Sequence, residues 1–319
     1  MMRLVFVSVS LVVATLAAPA LAQAQAPDRL NPIIALQEKG LPIFGISHPS
    51  IGRSGGRGRG GAPAGTDATP APPPPVIVLS DVAKETVDYK RADYMYTSGT
   101  SETFLRYMEE ITKAGGSMRT HPFSAKIGIW HSNPTNVSNA IIRQLNAGHV
   151  GVSMEAVESA QEVRDVIKAM RFASVGGTRP DTGLAAAAAY WGLTVEQYKR
   201  KADVWPINKS GELLVTVIIE SVEGIARARE IAAEPGVGQI FAGYGTLGGV
   251  FRGDPPAREA AAAKILAACK EFRIPCGFPT NNPAEMEQRM KEGWTVHIMQ
   301  RRDEAGFAAV ETGRKLSGR

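Results

Sequence analysis

Glu220 closes the apolar run LLVTVIIE (213–220), where an ionised carboxylate needs a counter-charge, a metal or hydrogen-bond donors to offset its desolvation. At a strand terminus such a group is a ligand for a hard divalent cation, or else it caps the helix that follows. His131 follows the run AKIGIW (125–130), and Glu155 follows HVGVSM (149–154). If these runs are consecutive strands, one imidazole and two carboxylates end side by side, an open site for Mg, Mn, Co, Fe or Zn. The local alternatives are His131 as a hydrogen-bonded rim residue and Glu155 as the lead into the next helix. His48, after LPIFGIS (41–47), is a further ligand or a proton carrier. Gly243, Tyr244, Gly245 and Thr246, in AGYGTLGG, offer backbone amides to a substrate anion. Arg179, in GGTRPDTG, suits carboxylate recognition on a mobile excursion, or faces solvent. The candidate catalytic residues are thus His131, His48 and Arg179, the candidate metal ligands Glu220, Glu155 and His131, and the substrate a small carboxylate. Gly-x-Ser-x-Gly occurs only as Gly52–Gly56, in a low-complexity stretch without the strand-to-helix turn a nucleophile elbow needs, and His-Glu-x-x-His is absent. The lysines of EEITKAGG and AAAAKILAACKEF fall on helical patterns, so no Schiff-base lysine is expected.

These residues are placed by what precedes them. Short, near-continuous apolar runs occur at 41–47, 92–98, 125–130, 149–154, 213–220, 237–243, 274–279 and 294–299. Between them lie helical patterns such as NVSNAIIRQLNAG and PAREAAAAKILAACKEF, several opening at Ser, Asn or Pro and closing at Gly. Strands of this kind, alternating with helices, build a parallel sheet buried on both faces. Eight such units close into a (β/α)8 TIM barrel. A doubly wound sheet would call for Gly-x-Gly-x-x-Gly in the turn directly after the first strand, where His48-Pro49-Ser50-Ile51 stands instead, the match at Gly56–Gly61 falling in a low-complexity stretch with no helical pattern behind it. In a barrel, chemistry sits at the carboxyl ends of the strands, which adds Ser98–Glu102, Thr280, Asn281, Gln300 and Arg301 as mouth residues. His121 and His149, at strand starts, and His297, mid-strand, read as structural.

Residues 51–75 hold 7 Gly and 6 Pro and cannot bury apolar area; they read as a low-complexity insertion after the first strand. Residues 1–22 read as a signal peptide: Arg3, an apolar run from Leu4 to Ala18, then Ala20-Leu21-Ala22. Residues 23–319 then form one exported barrel domain, periplasmic or secreted, with no membrane contact after cleavage. The 319 residues carry a formal charge of +5, 44% hydrophobic and 21% charged side chains, an ordinary globular balance without the basic stripe of a nucleic-acid binder. Cys269 and Cys276, one on a helix and one at a strand start, read as two buried thiols rather than a disulfide.

The stretch VIIESVEGIARAREIAAEPGVGQIFAGYGTLGG resembles the fifth and sixth strands of the HpcH/HpaI aldolase and citrate lyase β-subunit family, within the phosphoenolpyruvate/pyruvate barrel superfamily. RQLNAGHVGVSMEAVESAQEVRDVIKAMRF and GGTRPDTGLAAAAAYWGLTVEQYKRKAD extend the likeness, which covers roughly 30–48 and 80–312. The resemblance implies a divalent cation held by a Glu ending the fifth strand and an Asp ending the sixth, chelating a 2-oxo acid and stabilising its enolate. It also implies an Arg after the third strand, a His after the second, and a homo-oligomer. Glu220 matches the Glu. Thr246 stands where the family has its Asp, His131-Ser132-Asn133 where it has the Arg, and Ser98-Gly99-Thr100-Ser101 where it tends to have Asp-Gly-Glu-His. The expected function is an exported, metal-dependent carbon–carbon lyase acting on a small 2-oxo or hydroxy acid. The departures keep open other metal-assisted chemistry (hydration, decarboxylation, hydrolysis) or a non-catalytic anion-binding barrel.

Overall fold

The computed structural model describes residues 29–47, 77–88, 92–97, 102–300 and 303–319. Nine parallel strands follow one another in the chain: β1 (Ile43–Ser47), β2 (Tyr94–Thr97), β3 (Phe123–Ile129), β4 (Gly151–Glu155), β5 (Val204–Trp205), β6 (Leu213–Ile219), β7 (Gln239–Ala242), β8 (Cys276–Pro279) and β9 (Val296–Met299). All but β5 close into an eight-stranded parallel barrel, with β1 beside β9 and β4 beside β6. Each expected strand is present. The short β5 is an addition: it pairs with the entry of β6, Val204 opposite Leu213, and its two residues are too few to stand out as a pattern. The fold is a (β/α)8 TIM barrel, β6 being its fifth stave.

Helices between staves start where the sequence supplies a cap. Asn133 accepts from the Asn136 amide to open Pro134–Asn146, and Ser159 does the same for Ala160–Met170. Asp254 and Asn282 open Pro255–Phe272 and Pro283–Glu292, each with Pro in the first turn. Their apolar faces bury Ile141, Leu145, Val163, Val166, Ile265 and Leu266 against the outward-facing strand residues. Below the barrel, the helix Pro32–Glu38 inserts Ile33 and Ile34 as a floor, with Arg29 bonded to Glu38 and to the Gly211 carbonyl.

The cysteines correct the sequence reading. Cys269 lies in the last turns of Pro255–Phe272, and the chain reverses through Arg273 in a left-handed cap before Cys276 opens β8. That tight return brings the two Cα atoms to 5.8 Å, and the residues form a disulfide. The reversal that the spacing disguised is what makes a seven-residue separation bridgeable.

Candidate active site at the barrel mouth

Period-two alternation decides what faces the barrel axis. In β3, Phe123, Ala125 and Ile127 pack outward, while Ser124 and Lys126 face in; in β4, Ser153 faces in; in β6, Thr216 and Ile218 do, followed by Glu220 just past the strand. Barrel interiors are usually filled by branched apolar side chains. Here the upper interior is polar and encloses a cavity of about 150 Å³, walled by Tyr96, Lys126, Ser153, Glu220, Thr246 and Gln300 among others. Below it, Tyr94 fills the barrel: a Cβ on Gly45 of the neighbouring strand would lie 2.3 Å from its ring, so only glycine fits there.

Two features dominate the electrostatics. Glu220 is 9% exposed and has no hydrogen-bond or ion-pair partner among the described residues, leaving its carboxylate free to the cavity. It lies over Gly243, whose added Cβ would meet Glu220 Oε2 at 2.5 Å. Two staves round from it, Lys126 Nζ is ion-paired with Glu155, the two side chains 28% and 29% exposed. Ser124 and Ser153 meet beneath this pair at 3.3 Å. Burial raises the Tyr96 phenol well above its ordinary pKa, and the Glu155 and Glu220 charges add to this, so it stays a hydroxyl donor in the cavity wall.

The expected metal trio does not assemble. His131 sits in a single 3₁₀ turn (Trp130–Ser132) on the rim, with Nδ1 3.5 Å from Glu162 on the outer helix. Glu155 is taken by Lys126. Among the described residues, no three His, Cys, Asp or Glu side chains come close enough to hold a metal ion. Arg179 also departs from expectation. Far from being mobile or solvent-facing, it is fully buried outside the barrel, donating from Nη2 to Asn146 Oδ1 (2.8 Å) and Tyr198 Oη (2.9 Å) and stacking 4.6 Å over Phe172. The Phe172–Arg179 bridge pins the excursion that composition read as loose.

Gly243, Tyr244, Gly245 and Thr246 all line the cavity. Arg258 fixes this turn by donating to the Tyr244 carbonyl and stacking 3.4 Å over its ring, while Tyr244 Oη bonds Glu259. Gln300 reaches the cavity, its backbone N–H donating to Asn281 Oδ1 at 3.0 Å. His48, Ser98–Ser101 and Arg301 lie outside the described residues. His149 and His297 are buried and neutral, desolvation lowering each to a pKa of about 4; His297 meets Thr280 Oγ1 at 3.0 Å. Sequence reasoning missed Lys126. Its signal was the alternation in FSAKIGI, where the polar positions 124 and 126 share a parity that opposes the apolar ones.

A polar cavity at the carboxyl ends of eight parallel strands defines the class: a (β/α)8 barrel with its candidate site on the face such enzymes use. The chain belongs to the HpcH/HpaI aldolase/citrate lyase family, whose model matches residues 131–296. It is 28% identical over 156 residues to a 2-dehydro-3,6-dideoxy-6-sulfogluconate aldolase of Pseudomonas putida, covering 48% of this chain and 57% of that protein. It is 27% identical over 170 residues to a hydroxypyruvate/pyruvate aldolase of Paraburkholderia phytofirmans, covering 50% of this chain and 61% of that protein. The matched stretch thus spans less than two thirds of either relative. Among solved structures, an HpcH/HpaI aldolase/citrate lyase family protein from Burkholderia cenocepacia J2315 superposes with a TM-score of 0.62 at 18% identity, over 89% of this chain and 98% of that one. Macrophomate synthase gives 0.56 at 16%, over 93% and 94%. These structural likenesses establish the fold.

Proposed function

We propose that this protein is a carbon–carbon lyase that cleaves a small 4-hydroxy-2-oxo acid by a retro-aldol reaction and releases pyruvate. The observation that carries the reading is Glu220, a nine-tenths buried carboxylate without a partner among the described residues, facing a cavity sized for a small acid. Such a group is costly unless it has work to do on a ligand: here it takes the proton of the C4 hydroxyl as the C3–C4 bond breaks. Tyr96 and Ser153 supply hydroxyls to orient the substrate, and the Gly243–Thr246 turn supplies backbone for its carboxylate. The aldolase names of the two relatives support the reaction class.

The family resemblance implies a divalent cation, and the donor set here fits it poorly. Glu220 provides one carboxylate; Thr246 replaces the second, and Glu155 is already neutralised by an ammonium whose charge would oppose a metal. No step is therefore assigned to a metal. Export belongs to the same proposal and is supported by the Cys269–Cys276 disulfide, since such bridges persist outside the reducing cytosol. So does self-association, supported by an apolar groove of about 490 Å³ on the outer helices, where Leu105, Met108, Ile142 and Ala189 meet. Among the described residues no helix is long and apolar enough to cross a membrane.

The test is pyruvate release from a panel of 4-hydroxy-2-oxo acids, followed through a lactate dehydrogenase couple. Glu220→Gln should lose roughly 10³-fold or more in kcat/KM with its circular dichroism unchanged. Full activity in that variant would overturn the assignment.

A further inference from the structure

Among the described residues that line the cavity, Lys126 carries the only amine. It projects from the interior of β3, not from a loop, and its side chain is nearly three-quarters covered. A register shift between Ile127 and Ile129 sets Glu155 opposite Ile129, and the Glu155 carboxylate closes onto Lys126 Nζ. Two strands round the barrel, Glu220 offers a second carboxylate that no described residue neutralises. An ammonium beside one acid, facing another, is out of place in a site built to bind a metal. It is a suitable arrangement for an amine that gives up its proton to a neighbour and forms a covalent bond to a carbonyl.

We propose that Lys126 is a Schiff-base nucleophile, so that this barrel performs its cleavage through an iminium rather than a metal enolate. The inference rests on the carbon–carbon lyase reading given above. Lys126 passes one proton to Glu155, and its nitrogen lone pair attacks C2 of the 2-oxo acid to give a carbinolamine. Glu155 returns the proton to the departing C2 oxygen, water leaves, and the protonated imine remains. Glu220 takes the proton of the C4 hydroxyl; the C3–C4 bonding pair flows into the iminium, forming an enamine and freeing an aldehyde. Glu220 then delivers that proton to C3, and a water molecule hydrolyses the imine to pyruvate and free Lys126. Electrons and protons balance with water alone as co-reactant. The ion pair holds the amine in place until a carbonyl arrives, and the buried carboxylate of Glu220 is next to where charge moves.

The decisive experiment is reduction of the imine. The full-length protein is incubated with pyruvate in EDTA, treated with sodium borohydride, and examined by intact-mass and peptide mass spectrometry. The expected result is an adduct of pyruvic acid less one oxygen on the peptide carrying Lys126, absent without pyruvate and absent from Lys126→Arg, whose circular dichroism matches the wild type. Site mapping on the wild type keeps the test independent of that variant's folding. No adduct above the pyruvate-free control, or labelling that persists in Lys126→Arg, overturns the proposal. Pyruvate release measured on the same preparation separates the two readings: release without trapping removes the Schiff base and leaves the lyase, whereas trapping without release removes the cleavage and leaves the nucleophile.

Discussion

The Lys126–Glu155 pair makes a quantitative prediction for stability. The two side chains are 28% and 29% exposed, so the pair sits between a surface ion pair, worth about 0.2–1 kcal/mol, and a buried one, whose disruption costs about 3–5 kcal/mol. Two unit charges ~4 Å apart at an effective dielectric of ~20 attract by about 4 kcal/mol, and desolvation with side-chain ordering takes back roughly half. A coupling of about 2 kcal/mol follows. Lys126→Met strands Glu155 in the barrel, and Glu155→Gln strands Lys126, so each single variant should lose about 2–3 kcal/mol. The double variant leaves neither charge and should resemble either single variant instead of their sum. For a chain of this size each kcal/mol moves Tm by roughly 2–4 °C, so each single should melt about 4–12 °C lower. Thermal and urea unfolding of all four proteins, followed by circular dichroism, read the cycle. Singles that add within about 0.5 kcal/mol in the double would refute the pairing and the argument built on it.

Removing the disulfide with Cys269→Ser/Cys276→Ser should lower stability by about 2.5 kcal/mol, the chain-entropy value for a loop this short, and a melt with and without reductant on the wild type should reproduce the difference. Arg179→Lys, which keeps the charge but loses the planar stack over Phe172, should lower Tm while leaving KM for the substrate unchanged; a raised KM with unchanged Tm would restore it to the site. The two neutral histidines set an acid limit. His149 and His297 have folded pKa values near 4, below the unfolded value of 6.5, so the unfolded chain binds more protons between these limits. Their contribution is complete above pH 6.5 and is lost as pH falls through 4, on the order of 3 kcal/mol each. A Tm that is flat from pH 7 to 4.5 would contradict this.

The staves were legible because each carries its own apolar signature: LLVTVIIE and HVGVSM are buried on both faces and read as strands without knowledge of any neighbour. Glu220 was legible for the same reason, a charge at the end of a run that tolerates none. Lys126 was not, because a lysine within an apolar run looks like a strand interrupted by a surface residue until the barrel closes and gives the inner parity a shared cavity. Arg179 misled in the opposite way: glycine and proline around it suggest a loose excursion, whereas its burial depends on Asn146 and Tyr198, 33 residues before it and 19 after. The Glu155–Lys126 contact depends on the shift at Ile127–Ile129, a one-residue irregularity that no local pattern announces.

β1 lies between β2 and β9, so the first stave finds its second neighbour only when the last one is in position. Closure therefore involves nearly the whole length of the chain, a costly loop to form and a slow step in folding. Until then two unsatisfied sheet edges face outward, each able to pair with another unfinished chain. A polypeptide threaded through a membrane before folding would stay in this open form for as long as its last strand is in transit. Its yield would then be governed less by the depth of its final energy minimum than by how well something shields those edges beforehand.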